Sequence, residues 1–148
     1  MLLKFTLVAG LVLLVDRLSK FVVMAQMSEG QSIPLIPPFL YITYVQNRGA
    51  AFGFLQGKVV LLSAIAVVCL LLILTQWKMI MAKSSFVRWG VVIALAGALG
   101  NLIDRLRWGA VIDFVDIRIF VFNPADVAIV LGVALLFWEV LVHDQKRQ

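Results

Sequence analysis

The chain has 148 residues, of which 63% are hydrophobic and 14% are charged, and its formal net charge is +5. A soluble domain is nearer half apolar and a quarter charged, so this composition argues against a water-soluble globule and indicates a membrane protein. Because no basic stripe with interleaved aromatic residues is present, the positive charge indicates anionic lipid and membrane orientation, and no nucleic acid is expected as a partner. The one cysteine, Cys69, excludes an internal disulfide, and with the one histidine, His143, it argues against a zinc site.

Four apolar segments are long enough to cross a membrane, which takes about 20 mostly apolar residues. They run over about residues 2–24, 59–77, 86–106 and 124–142. The first begins like a secretory signal, but DRLSK stands where a small-residue cleavage site belongs, which predicts an uncleaved span. Four spans place both termini on one side, and the basic residues of the 78–88 connection predict that this side is cytoplasmic. The raw tally does not settle the orientation, because the opposite side carries slightly more basic residues.

The two connections on the other side of the membrane contain short segments with a period of two. FLYITYV (39–45) and VDIRIFVF (115–122) alternate in this way, which predicts strands lying on the membrane surface. Between the first of these and the second span comes QNRGAAFGFLQG (46–57), whose glycines allow a tight bend and a close approach of a ligand to the backbone.

The second half of the first span carries three charges. Asp16 and Lys20 are four residues apart, so they share a helix face, and a salt bridge between them would lower the cost of two charges at the membrane edge. Support of a functional site is the alternative role for this pair. Arg17 is expected to point elsewhere and to extend toward the membrane interface.

The third span ends in a second polar face. Asn101, Asp104 and Arg105 stand at i, i+3 and i+4, which is typical either of interhelical hydrogen bonds or of site support. The small residues upstream, from Gly90 to Gly100, predict close packing of a neighbouring helix.

FNPAD (122–126) predicts the start of the fourth span. Asn123 is a good N-cap and Pro124 suits the first helical position, so Asp126 falls at the third. An acid there can simply complement the helix dipole. That role leaves unexplained a second acid, Asp113, which lies among apolar neighbours just before the strand-like segment leading back to this helix end.

Two carboxylates at one site of low dielectric constant cannot both ionise cheaply, so one holds a proton and the other does not. Such a pair can activate water with one member and protonate the substrate with the other, as aspartic proteases do. The sequence has no plausible serine or cysteine nucleophile with a histidine in reach. The spacing alone leaves a proton or ion pathway open as an alternative, and a non-catalytic scaffold is a further one.

Five motifs in chain order resemble those of the lipoprotein signal peptidases, the bacterial type II signal peptidases. They are DRLSK in the first span, QNRGAAFG in the outer loop, GALGNLIDR closing the third span, VIDF after it and FNPAD opening the fourth. No single motif is specific, but their order at the right spans is, and the resemblance covers essentially the whole chain.

The resemblance implies a single integral-membrane domain of the all-α class, with four transmembrane helices and both termini in the cytoplasm. A small β-cradle and a surface helix would lie on the extracytoplasmic side. The implied activity is that of an aspartyl endopeptidase of the bacterial cytoplasmic (inner) membrane, working at its outer face. It would remove the signal peptide of prolipoproteins just before a diacylglyceryl-modified cysteine. The other implied partners are membrane lipid and globomycin-type inhibitors, and a monomer without cofactor or metal is expected.

By the same resemblance, the catalytic dyad is Asp113 of VIDF and Asp126 of FNPAD. The residues expected to bind substrate or support the dyad are Asp16, Lys20, Asn47, Gly49, Asn101, Asp104, Arg105, Asn123 and Ala125. Asp104 is expected to order Asn101 and Arg105. Asp116 matches no family position and is expected to be a surface or strand residue.

The two dyad members are expected to differ in acidity. A helix N-terminus stabilises the anion of Asp126, which would therefore start as the base that activates water. Asp113 has only apolar neighbours along the chain and no comparable help, so desolvation would favour its neutral form and make it the initial proton donor.

Overall fold

The structure, a computed structural model, describes residues 2–49 and 57–145. Within these ranges the elements follow in the order α1 (Leu2–Gln26), β1 (Ser32–Ile36), β2 (Leu40–Asn47), α2 (Val59–Thr75), α3 (Trp77–Met81), α4 (Ser85–Trp108), β3 (Val111–Asp116), β4 (Val121–Phe122) and α5 (Pro124–Gln145). The long helices form a bundle. The strands form a sheet at the end of the bundle where α1 and α4 finish and where α2 and α5 begin.

Helix α4 is the centre of the bundle, because it packs against α1, α2 and α5. Its contact with α5 is close: a Cβ added to Gly90 would meet the carbonyl oxygen of Gly132 at 2.8 Å, and one added to Gly97 would meet that of Ala125. These contacts confirm the packing predicted for the small residues of this helix. Helix α2, by contrast, buries none of its residues and reaches the bundle mainly through α4.

The sheet is antiparallel with the strand order β1-β2-β3-β4. The strand predicted from FLYITYV is confirmed, because β2 covers most of that segment. The prediction from VDIRIFVF is only partly right. Strand β3 begins earlier and contains the whole VIDF motif, so Asp113 lies inside a strand rather than before one. The chain then turns at Arg118, whose φ of 69° lies in the left-handed region, before the two-residue strand β4.

Strand β1 was not predicted from the sequence. All five of its residues are exposed, so no alternation between a buried and an exposed face marks it. It also contains Pro34, which lacks the N–H that a strand ladder needs and is tolerated here because β1 is an edge strand. The buried side of the sheet packs on α1 through Val23, Tyr44, Ile112 and Phe114.

The prediction of four membrane spans is confirmed in part. Helix α4 and residues Pro124–Val142 of α5 are long and apolar enough to cross a membrane. Helix α2 carries no charged residue but has only 17 residues, and α1 has 25 but carries Asp16, Arg17 and Lys20 in one half. The outward faces of α1, α2 and α5 are rich in exposed apolar side chains, mainly leucine and valine. A surface this apolar is typical of contact with lipid.

The expected surface helix is not found in the described part of the connections that hold the sheet, residues 27–49, 57–58 and 109–123. The short helix α3 belongs instead to the α2–α4 connection, at the opposite end of the bundle. Residues 50–56, which include the second half of the QNRGAAFG motif, lie outside the described residues.

The close contact between α4 and α5 predicts that Gly132→Ala destabilises the fold. A Cβ at this position would come within 2.5 Å of the Gly90 carbonyl oxygen and 2.7 Å of the Ala94 backbone nitrogen. Overpacking of this kind costs about 1–3 kcal/mol, which exceeds the gain of about 1 kcal/mol in helix propensity from replacing glycine. We expect a lower melting temperature in detergent.

Gly10→Ala is the matched control, since a Cβ there would meet nothing within 4 Å. It should melt at or above the temperature of the parent. Equal melting of the two variants would show that the glycine contact does not set the helix spacing.

Candidate active site

Four charged side chains meet where α1 crosses α4. The ammonium nitrogen of Lys20 lies 2.8 Å from Asp16 Oδ1 and 2.7 Å from Asp104 Oδ2. The guanidinium of Arg17 binds the other oxygen of each carboxylate, with Nη1 at 2.6 Å from Asp104 Oδ1. Asp16 and Asp104 are 0% exposed, Lys20 is 1% exposed and the side chain of Arg17 is 29% exposed, so two carboxylates and two cations neutralise each other in a largely buried cluster. We call these four residues the ion cluster.

The ion cluster confirms the predicted Asp16–Lys20 pair but corrects two other predictions. Arg17 does not point away to the interface, because its long side chain turns inward to both carboxylates and to the carbonyl oxygen of Gly100. Asp104 makes no direct hydrogen bond to Asn101 or Arg105, because its oxygens bind Arg17, Lys20 and the backbone N–H of Ile112. It reaches Asn101 only through Lys20. Asp104 therefore faces α1.

The cluster also holds the ends of two other elements. Asp16 Oδ1 accepts a hydrogen bond of 3.3 Å from the backbone N–H of Ala125, in the first turn of α5. Asp104 Oδ2 accepts one of 3.3 Å from Ile112 in β3. The carboxylate of Asp16 needs the space that Gly100 leaves, since a Cβ there would lie 2.7 Å from its Oδ2. The first turn of α5 and the strand β3, which carry Asp126 and Asp113, are thereby fixed to α1 and α4.

Two asparagines connect the ion cluster to the two aspartates of the predicted dyad. Lys20 Nζ donates to Asn101 Oδ1 at 3.1 Å, and this bond leaves the amide nitrogen of Asn101 to donate to Asp126 Oδ1 at 2.7 Å. Asn123 Nδ2 donates both to Asn101 Oδ1 at 3.2 Å and to Asp113 Oδ1 at 2.6 Å. The two carboxylates are therefore joined through a short chain of side-chain amides whose orientation starts at Lys20.

The start of α5 confirms the capping predicted from FNPAD. Asn123 Oδ1 accepts from the backbone N–H of Asp126 at 3.0 Å, and Asp126 Oδ2 accepts from the backbone N–H of Asn123 at 3.2 Å. This reciprocal pair is a capping box with aspartate in the place usually held by glutamate or glutamine. Asp126 is thus aimed by the helix start as well as by Asn101.

Asp113 lies in the middle of β3 and is 2% exposed. Its neighbours in space correct the expectation that it lacks help, because both of its oxygens accept hydrogen bonds from amides, Oδ2 from Asn47 at 2.8 Å and Oδ1 from Asn123. Burial nevertheless raises the pKa of Asp113 to about 6, and the nearby charge of Asp126 acts in the same direction. The amides of Asn47 and Asn123 and the charge of Lys20 oppose this shift.

A cavity of about 530 Å³ opens beside the two aspartates. Six of the predicted site residues line it: Asn47, Gly49, Asn101, Arg105, Asp113 and Asp126. The other five, Asp16, Lys20, Asp104, Asn123 and Ala125, are buried and do not line the cavity. Gly49 itself is held by a hydrogen bond from its N–H to Asn47 Oδ1, which orients that amide toward Asp113.

The remaining walls of the cavity are apolar and were not predicted from the sequence. They come from three helices, from the start of β3 and from the β4 region: Ala66, Ala98, Val111, Phe120, Val121, Phe122, Ile129 and Val130. Apolar residues on a span carry no signal that separates a cavity wall from a lipid-facing surface. Arg17 was also missed, although its position next to Asp16 was the available signal.

The ion cluster predicts that Lys20→Met lowers both stability and the order of the site. Removal of this buried cation leaves two carboxylates to share Arg17, and breaking a buried ion pair costs about 3–5 kcal/mol. It also removes the donor that orients Asn101. Thermal unfolding in detergent should show a clear fall for Lys20→Met.

Lys4 is exposed on the same helix, so the Lys4→Met variant loses the same charged group at the surface and should melt like the parent. The role assigned to the ion cluster would be wrong if Lys20→Met and Lys4→Met melted alike.

Comparison with known proteins assigns the fold and the family. Residues 8–142 match the family model described as signal peptidase (SPase) II. The lipoprotein signal peptidase of Moorella thermoacetica is 43% identical over 147 residues, which cover 97% of this chain and 98% of that protein. The enzyme of the same name from Clostridioides difficile strain 630 is 39% identical, with coverage of 97% and 99%.

A solved bacterial membrane enzyme superposes with a TM-score of 0.90 at 32% identity, over 98% of this chain and 92% of that one. A second solved bacterial membrane enzyme gives 0.80 at 33% identity, over 93% and 92%. The matches extend over nearly the full length of the chain, in sequence and in fold. The chain belongs to the signal peptidase II family of membrane aspartic peptidases.

Proposed function

We propose that Asp113 and Asp126 are the catalytic dyad with which this signal peptidase II removes the signal peptides of lipoproteins. One observation carries the proposal: the two carboxylates border one cavity and are joined through Asn123 and Asn101. The buried remainder of the polar network supports these four side chains from behind and does not border the cavity.

The reaction assigned to the dyad is general acid–base hydrolysis of a peptide bond. The ionised carboxylate removes a proton from a water molecule, whose oxygen then attacks the scissile carbonyl carbon. The protonated carboxyl donates its proton to the carbonyl oxygen, and the leaving amine takes up a proton as the C–N bond breaks. The leaving amine takes this proton from the carboxyl that accepted it from water, the other carboxylate removes the proton of one hydroxyl group of the intermediate, and both aspartates return to their starting protonation states.

We assign the initial proton to Asp113. Burial raises its pKa to about 6, which supports a neutral form near that pH. Asp113 also accepts two amide hydrogen bonds, but Asp126 is less buried and accepts a backbone N–H at the helix N-terminus in addition to the amide of Asn101, which favours its ionised form. Asp126 is therefore proposed as the base that activates water.

The proposed substrate is a prolipoprotein that carries diacylglycerol on the cysteine after the scissile bond. The apolar walls of the cavity support this choice, because Ala66, Ile129 and Val130 belong to helices with lipid-facing surfaces. An acyl chain could extend along these walls while the peptide bond lies at the dyad. Globomycin-type cyclic peptides are proposed to occupy the same cavity.

The proposed placement is that of a multi-pass protein of the bacterial cytoplasmic membrane, with α1, α2, α4 and α5 as its four spans and the protein as a monomer. Lys78, Lys83 and Arg88 lie in or beside the α2–α4 connection, at the end of the bundle away from the sheet. By the excess of basic residues in cytoplasmic loops, this end and both termini are assigned to the cytoplasm. The sheet and the dyad then lie at the outer face.

Replacement of either dyad member by asparagine should abolish cleavage. Asparagine keeps the shape of the side chain but cannot transfer the proton, and loss of acid–base catalysis costs about 10²–10⁴-fold in rate. The measurement is cleavage of a diacylglyceryl-modified prolipoprotein by purified Asp113→Asn and Asp126→Asn proteins in detergent.

Asp116→Asn is the matched control for this experiment. Asp116 lies on the same strand as Asp113, but its oxygens bind Thr43 and Arg118 and it does not line the cavity. This variant should cleave at nearly the parental rate. Parental activity in either dyad variant would remove that aspartate from the mechanism.

The activity should depend on pH as a bell whose alkaline side reflects loss of the proton assigned to Asp113. Because its pKa is raised to about 6, kcat/KM should fall as the pH rises through this region, while the acid side reflects protonation of the base. The pair titrates as one system, so the measured values belong to the dyad as a whole.

Infrared titration of the Asp113 carboxyl in the Asp126→Asn protein provides a second test. Removal of the Asp126 charge should lower the pKa of Asp113, since that charge raises it. An Asp113 that is already ionised well below pH 6 in the parent would reverse the assigned roles of the two aspartates.

A further inference from the structure

A second cavity, of about 560 Å³, lies between α1 and the end of α4. Residues of both helices line it: Leu14, Arg17, Leu18, Lys20, Phe21, Met24, Ala25, Arg107 and Trp108. We call it the α1–α4 groove. It lies on the opposite flank of α4 from the dyad, because Arg105 lines the catalytic cavity and Arg107, about 200° further around the helix, lines the groove.

The walls of the groove are apolar and open to the surroundings. Leu14, Leu18 and Phe21 are each more than half exposed, and they follow one another along α1. A row of exposed apolar side chains along a helix in a bundle of this composition is a surface for an acyl chain.

One charged side chain at the end of the groove is available to bind an anionic group. Lys20 and Arg17 are bound to Asp16 and Asp104 within the ion cluster. Among the described residues, Arg107 is the one cation of the groove that has no carboxylate partner, and its guanidinium lies 5.1 Å from the centre of the Trp108 ring. Both residues are exposed in the last turn of α4, at the sheet end of the bundle, where a tryptophan is typical of the lipid–water boundary.

We propose that the α1–α4 groove binds an anionic phospholipid, with an acyl chain along α1 and the phosphate on Arg107. Arginine binds phosphate oxygens through two parallel N–H groups, and Trp108 holds its guanidinium plane from one side. The net positive charge at this end favours a lipid with a net negative charge over a zwitterionic one. A second copy docked symmetrically would instead bring two unpaired guanidinium groups to one interface.

The position of Trp108 in the groove permits a direct test with brominated lipids, whose bromine atoms quench the fluorescence of a tryptophan they contact. The protein is reconstituted in phosphatidylcholine vesicles containing a fixed fraction of phosphatidylglycerol, with bromine on the acyl chains of one lipid or the other. Brominated phosphatidylglycerol should quench more strongly than brominated phosphatidylcholine at equal mole fraction. The difference should be lost in Trp108→Phe, which assigns it to this tryptophan among the four.

Arg107→Gln should lower the preference for phosphatidylglycerol about fivefold, the effect of one arginine near an anionic lipid surface. Arg118→Gln is the matched control, because Arg118 lies at the same end of the molecule but is paired with Asp116; it should leave the preference unchanged. Equal quenching by the two lipids in the parent, or an unchanged preference in Arg107→Gln, would overturn the proposal. So would quenching by neither lipid together with cross-linking between protein copies, which would place a second copy in the groove. The readout needs no cleavage, so it is independent of the proposed dyad.

Discussion

Lys20 and Arg17 of α1 bind Asp16 and Asp104 of α4, and the positions of the two aspartates proposed as the catalytic dyad depend on this contact. Ion pairs buried to this extent stabilise only when the charges balance and the remaining oxygens find donors. Both conditions are met, because the charges balance and the carboxylate oxygens also accept hydrogen bonds from the backbone N–H groups of Ala125 and Ile112. Those two groups belong to the elements that carry Asp126 and Asp113. The same cluster therefore closes the bundle and places the dyad.

The carboxylate of Asp126 has two functions. It caps α5 through the N–H of Asn123, and it is the proposed base of the reaction. Protonation during turnover weakens its bond as an acceptor, but Asn123 still caps the helix through the N–H of Asp126. The reciprocal cap thus allows one member to change charge without freeing the helix start, and the glycine contacts with α4 hold the rest of α5.

The sequence predicted the helices well, because long apolar runs and the FNPAD cap are local signals. Alternation of apolar and polar residues predicted β2, but it placed the start of β3 too late in the chain. It missed β1, because all the residues of that strand are exposed and none of them marks a buried face. All the site residues that the resemblance supplied lie in or behind one cavity. What the sequence could not supply was the pairing across elements. Arg17 and Asp104 are 87 residues apart, so their contact has no signature in local spacing. The hydrogen bond from the side-chain amide of Asn47 to Asp113 could not be predicted for the same reason, since the two residues are 66 positions apart.

The distance along the chain between Arg17 and Asp104 also has a consequence for biosynthesis. Helix α1 is made first, and its Asp16, Arg17 and Lys20 carry one net positive charge until Asp104 follows. A net charge in the lipid interior is costly, so water or lipid head groups must solvate this half of α1 while the next two helices are made. The docking of α4 supplies the missing negative charge and removes that need. On the proposed topology, the final depth of α1 in the membrane is thus coupled to completion of the third long helix, and a chain truncated before Asp104 would keep α1 nearer the membrane surface.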